Sequence, residues 1–291
     1  MLPRDAALAV AVATVWGVAF VATEFALQSF TPPQLTAIRF ILAALPILFV
    51  RKPDIAWPTL IVLGSFLFLG QFMLQFFAFE TGLPPGVASV AIHTQALFTV
   101  VIAALVLREI PTRRQIIGLG VAAGGLICVG ASVGGDLTAL GLMLAIAAAI
   151  SWGIGNVMLK RVGKVDLLSL MIWMSVVPPL PALAFGWATG EQPGVFEAIG
   201  DASSISILAV IYLGIISTTV AYAIWARLLA AYPAAKVAPF ALLAPCTGIL
   251  ASYLVFGETF GPLRGAGMVL VVIGIALSVL GGRAKQAREI A

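Results

Sequence analysis

A single histidine, His93, stands in the apolar run VASVAIHTQALFTVVIAALVL at residues 87–107, two positions from Gln95. An imidazole or an amide removed from water costs free energy unless a partner satisfies it. Histidine is also the side chain whose ordinary titration range overlaps working pH, which suits proton coupling or a hydrogen bond to a cargo. Gln71 and Gln75 lie four apart and share a helical face, as do Tyr222 and Trp225, three apart. With Trp152 and Asn156 they offer donors and acceptors beside aromatic surface, the complement of a small metabolite with a polar head and an apolar tail. His93 and Gln95 are separated by about 200° on an uninterrupted helix, so only one of them is expected to face a shared cavity. The alternative readings are a neutral His93 bonded to a backbone carbonyl, and glutamines that bond helix to helix. Glu24 and Arg39 stand near the facing ends of the first two apolar runs. There, opposite charges predict an ion pair acting as a clasp or an external gate. Pro239 and Pro245 fall inside a later run, where proline frees carbonyls and permits bending, and are the hinge candidates.

Other chemistries find no support. No group of His, Cys, Asp and Glu has metal-ligand spacing. No GxxxxGK loop is present to cradle a nucleotide, and no nucleophile stands with a base at one depth. The expectation is a protein without metal, without cofactor and without enzymatic activity. Cys128 and Cys246 both lie in apolar runs and are expected to be free thiols.

The elements that position these residues follow from composition. Hydrophobic residues make up 62% of the 291 and charged residues 10%, with a mean hydropathy of +1.12. Soluble domains carry about a quarter charged residues, so the chain reads as an all-α membrane protein in contact with the lipid bilayer. A spanning helix needs about 20 mainly apolar residues. Ten candidates satisfy this: 6–28, 34–50, 59–79, 86–107, 114–132, 137–159, 167–187, 205–226, 235–255 and 262–281. The net charge of +4 forms no stripe for nucleic acid, because basic residues come in ones, twos and threes between the runs. Ten spans put both termini on one side. That side then carries Arg4, Arg51, Lys52, Arg108, Arg113, Arg114, Lys160, Arg161, Lys164, Arg227, Lys236, Arg283, Lys285 and Arg288. Only Arg39 and Arg264 fall elsewhere, and the longest loop, 188–204, holds Glu191, Glu197 and Asp201. Positive-inside bias places both termini in the cytoplasm.

The chain repeats itself. Pro84 pairs with Pro233, Glu109 with Glu258, Gly118 with Gly267 and Gly125 with Gly274, all at an offset of 149. VWGVAFV at 15–21 resembles SWGIGNV at 151–157. The division predicted is 1–134 and 135–291, five spans each. An odd number turns the second half upside down relative to the first, an arrangement typical of secondary transporters. The glycine-rich fifth and tenth spans are expected to pack closely, within one chain or across a homodimer.

These segments also resemble a known family. VWGVAFVATEFAL, TPPQLTAIRFILAALPIL and GVASVAIHTQALFTVVIAALVLREIPTRRQIIGLGVAAGGLICVG in the first half look like an EamA-type member of the drug/metabolite transporter superfamily. So do AISWGIGNVMLKR and AYAIWARLLAAYPAAKVAPFALLAPCTGILASYLVFGE in the second. The resemblance covers essentially the whole chain and is nearest to bacterial inner-membrane exporters of amino acids. It implies ten helices in two inverted repeats and export of amino acids or related small metabolites by alternating access. Multidrug or nucleobase export is the alternative within the superfamily. Two positions depart from the family pattern: Ala19 where a polar Asn is common, and Glu24 where a basic residue often ends the first motif.

Overall fold

The computed structural model describes residues 1–163 and 165–281. Of the basic residues used to orient the chain, Lys164, Arg283, Lys285 and Arg288 lie outside the described residues. Among the described residues, ten helices are long and apolar enough to cross a membrane: α1 Pro3–Leu27, α2 Pro32–Phe49, α3 Trp57–Glu80, α4 Pro85–Val106, α5 Arg113–Ala131, α6 Ala139–Val162, α7 Leu167–Ala188, α8 Ser204–Ala231, α9 Ala238–Phe256 and α10 Pro262–Leu280. The chain is thus a multi-pass, all-helical membrane protein, with two further short helices among the described residues, Val195–Asp201 in the longest loop and Ala234–Val237 just before α9.

Their starts are written in the local sequence. Thr31 and Thr112 each accept a hydrogen bond from the backbone three residues on, and Gln34 and Gln115 reach back in return, closing two capping boxes. Asp166 and Ser203 cap α7 and α8 in the same sense. Proline at the first helical turn, where no N–H is needed, opens α2, α4 and α10.

Three pairs of irregularities recur at the offset of 149. The π-helical segment Ser65–Gly70 in α3 has its counterpart in Tyr212–Val220 of α8. In α8 the hydroxyls of Thr218 and Thr219 donate to carbonyls five residues back, which stabilises the wide turn. The break in α4 at Thr94 is matched in α9 by the change from 3-10 to α-helix at Leu243. Left-handed residues follow both helices, Arg108 at φ 55° and Gly257 at φ 65°. α2 and α7 are also interrupted, at Leu45–Phe49 and around Pro178.

Packing divides into two main apolar clusters. One gathers Phe40, Phe68, Phe72, Phe76, Met174 and Leu213 from α2, α3, α7 and α8. The other joins the ends of α3 and α4 to α5, α6 and α10 through residues such as Phe79, Ala122, Ala145 and Val271. α5 and α10 meet backbone to backbone: a Cβ at Gly118 would stand 2.6 Å from the Gly274 carbonyl oxygen, and one at Gly125 2.6 Å from that of Gly267. The small-residue stripes are therefore used against each other inside one chain.

Candidate functional site

A cavity of about 310 Å³ lies between these helices, at the small end of the range for ligand sites. Its lining runs from Arg39, Gln71 and His93 in the middle of the bundle to Leu167 and Leu229. Leu167 opens α7 just after the end of α6 that carries Lys160 and Arg161, and Leu229 lies in the last turn of α8 shortly before Lys236, so the cavity extends toward the basic end of the molecule. The opposite end is tied shut. There Glu258 accepts a hydrogen bond from the Gly86 N–H at the start of α4, 2.9 Å away, and is bonded to Ser252. Ser206 donates to the Phe25 carbonyl at 2.8 Å across α1 and α8. Burial pushes the Glu258 carboxyl above the ordinary carboxylate range, partly offset by those two bonds.

Of the side chains expected at the site, Gln71, Gln75, His93, Gln95, Trp152, Tyr222 and Trp225 all line the cavity. His93 and Gln95 do so together, against the expectation that only one would. The break at Thr94 ends one helix at His93 and begins another at Gln95, which resets the rotation between them. The His93 Nδ1 lies 2.6 Å from the Ser89 carbonyl oxygen. A carbonyl only accepts, so Nδ1 carries the proton, and in the neutral ring Nε2 is left as an acceptor. Gln71 Nε2 donates to Gln75 Oε1 at 2.9 Å.

Asn156 takes another place. Its amide donates to Thr99 on α4 at 3.3 Å, and it is not among the cavity residues. Glu24 and Arg39 do not pair. Glu24 stands at the closed end, in a separate pocket with Phe79, Pro84, Asp136 and Glu258. Arg39 points into the central cavity, where its Nε and Nη2 both donate to Thr218 Oγ1 at 3.2 and 3.1 Å and its guanidinium lies 4.1 Å from the Phe72 ring centre. The turn of α2 that carries Arg39 faces α8, not α1, which is why the clasp does not form. Pro239 lies in the 3-10 segment of α9, and the carbonyl of Pro245 accepts from Ser89 on α4 at 3.2 Å. Both cysteines are free.

Apolar residues complete the wall. Trp16 packs at 5.4 Å from Tyr222 and 5.1 Å from Trp225, and its indole N–H donates to the Ser217 carbonyl at 3.1 Å. Phe72, Met171 and Phe20 add to it. The sequence did not single out Phe20, Phe72 or Met171, because aromatic and aliphatic residues on membrane helices are common on every face. The position of Trp16 opposite Trp152 in the repeated Trp-Gly motif was the available signal.

The EamA-like transporter family matches this chain twice, over residues 5–131 and 139–280. A probable amino-acid metabolite efflux pump of Salmonella typhimurium is 33% identical over 297 residues, covering 100% of this chain and 99% of that protein. A protein described in the same words from Escherichia coli is 32% identical over the same coverage. A probable terminal-alkyne amino-acid exporter of Streptantibioticus cattleyicolor is 25% identical over 90% of this chain and 89% of its own. Among solved structures, one crystal structure aligns over 97% of both chains at a TM-score of 0.66 and 19% identity, a likeness of fold.

Proposed function

The chain belongs to the EamA-like transporter family, and from that premise we propose that it exports amino acids or closely related metabolites across the bacterial cytoplasmic membrane. It is a transporter of small molecules, not an enzyme. The observation that carries the reading is the central cavity, in which amides, an imidazole and a guanidinium share one wall space with Trp16, Tyr222 and Trp225. An amino acid has both requirements at once, a polar head group and a side chain of variable apolarity.

Transport follows by alternating access, with two five-helix repeats exchanging conformations about the cavity. Both termini lie in the cytoplasm, so the shape described here is open inward and closed outward. In that exchange α9 flexes at the 3-10 segment holding Pro239 and α4 at the Thr94 break, while Glu24 acts at the closing outer end. The use of both small-residue stripes within one chain supports a single chain as the transporting unit.

Counterflow into proteoliposomes tests the assignment, with L-leucine, L-cysteine, uracil and tetraphenylphosphonium as labelled probes. Saturable exchange of an amino acid supports it. Exchange of uracil or the phosphonium alone would replace it with nucleobase or drug export.

A further inference from the structure

Two arginines are buried among the described residues, and the fold treats them in opposite ways. Arg264, 7% exposed, donates to both carboxylate oxygens of Asp136 at 2.7 and 3.0 Å and reaches the Ser132 and Gly134 carbonyls. Arg39, 3% exposed, has no carboxylate within 4 Å among the described residues. It spends two N–H groups on a single neutral hydroxyl and rests its face on Phe72. A guanidinium is a planar fork of five donors suited to a carboxylate. A buried cation without a counter-ion is costly, and such residues inside membrane helices face a cavity and mark the path of a cargo.

The same cavity holds the converse imbalance. Gln71 Oε1 and Gln95 Oε1 are both buried acceptors with no hydrogen-bond partner among the described residues. Gln71 gives one of its two amide N–H groups to Gln75, and its own Oε1 is left without a bond. Buried polar atoms are rarely left so. The lining of this one cavity therefore holds surplus positively charged donors on α2 and unbonded neutral acceptors on α3 and α4. All three residues come from the first half of the chain.

We infer that Arg39 and the amide oxygens of Gln71 and Gln95 form the head-group subsite for a zwitterion, the guanidinium taking the α-carboxylate and the amide oxygens the α-ammonium. This rests on the amino-acid export reading and adds to it which atoms distinguish an amino acid from other metabolites. Thr218 fixes the guanidinium in place, and the corner of Trp16, Tyr222 and Trp225 receives the side chain.

Competition against labelled L-leucine and L-cysteine in proteoliposomes tests it, with the methyl ester and the deaminated acid of each (isocaproate and 3-mercaptopropionate) as competitors. In the native protein either loss is expected to weaken competition by at least about tenfold, the effect of losing a hydrogen bond to a charged group. Arg39→Gln should erase the preference for acid over ester, and Arg39→Lys, a point charge without the fork, should keep only part of it. Gln71→Leu with Gln95→Leu should erase the preference for amino acid over deaminated acid and leave the first preference in place. Each preference is a ratio within one preparation, so a change in the amount of folded protein does not move it. Equal competition by the ester in the native protein, or a native ratio retained in Arg39→Gln, overturns the subsite while amino-acid transport stands. Native protein that takes up no amino acid but does take up uracil or tetraphenylphosphonium overturns the export reading itself.

Discussion

Replacing Trp225 by alanine removes one side of the aromatic corner that faces Trp16 at 5.1 Å. A substrate whose side chain fills that corner is expected to lose about 10- to 200-fold in affinity, the span that hydrophobic pocket contacts discriminate, while glycine and alanine lose little. Affinities measured across a side-chain series check this, and an equal loss for glycine would assign Trp225 to packing alone. His93 supports a second expectation. Because its Nδ1–H is committed to Ser89, the cavity is offered Nε2. His93→Gln keeps a hydrogen-bonding group that does not titrate. Exchange is expected to persist in that variant while acceleration by an imposed pH gradient disappears; retention of the pH effect would place proton coupling elsewhere. At this scale the sequence was informative wherever helical spacing sufficed, as for Gln71 with Gln75 and Tyr222 with Trp225. It misled at Asn156 and at Glu24 with Arg39. Depth along a helix is legible from a sequence, but which neighbour a helix turns toward is set by packing.

At the scale of elements, the α5–α10 seam allows a controlled comparison. A Cβ at Gly125 would strike the Gly267 carbonyl oxygen, whereas Gly124, its neighbour in the same helix, has open space around an added Cβ. Gly125→Ala is expected to destabilise by about 1–3 kcal/mol through overpacking, and Gly124→Ala to stabilise slightly, by up to about 1 kcal/mol of helix propensity. Melting of the purified protein in detergent reads both, and equal melting temperatures would mean that the seam is loose. The cap of α7 adds a pH dependence. Side-chain and backbone bonds from Ser169 hold the Asp166 carboxyl below its usual range. A depressed carboxylate stabilises the folded state above its unfolded value of 3.8 and loses that contribution as pH falls through the folded value. Asp166→Ala is expected to cost about 1 kcal/mol at neutral pH and to remove that acid dependence, as melts at neutral and acid pH would report. The ten spans were legible beforehand because hydropathy and proline act locally. The π segments and the Thr94 break were not, since they arise from hydroxyls and carbonyls that meet only after folding.

For the whole molecule, the pairing of Glu109 with Glu258 by the repeat offset meets two different environments. Glu258 holds the start of α4 at the closed end, while Glu109 is in an exposed ion pair with Lys160 at 2.9 Å. Glu258→Ala is expected to loosen the closed end, raising the reaction of a single cysteine at Phe79 with an impermeant thiol reagent once Cys128 and Cys246 are replaced. Unchanged labelling would show that Glu258 is not the tie. The repeat was visible in prolines and glycines, but its asymmetry was not. Two similar halves leave open which end is closed, and only the placement of Glu258 against Gly86 and of the lining toward Leu229 distinguishes them.

The uncompensated guanidinium of Arg39 has an electrical consequence. A zwitterion brings no net charge, so in amino-acid exchange, where no net proton crosses, the charge resident in the cavity is the protein's own in both the loaded and the unloaded forms. When the cavity changes the side it faces, the field across the bilayer redistributes around that fixed cation. One elementary charge traversing the whole field is worth about 2.3 kcal/mol per 100 mV, and a fraction of that is enough to make the turnover rate voltage-sensitive. Exchange of a neutral amino acid at equal pH on both sides and potassium-clamped membrane potentials is therefore expected to vary with voltage in the native protein and to flatten in Arg39→Gln. A carrier of uncharged cargo would then be paced by the potential of the membrane it spans.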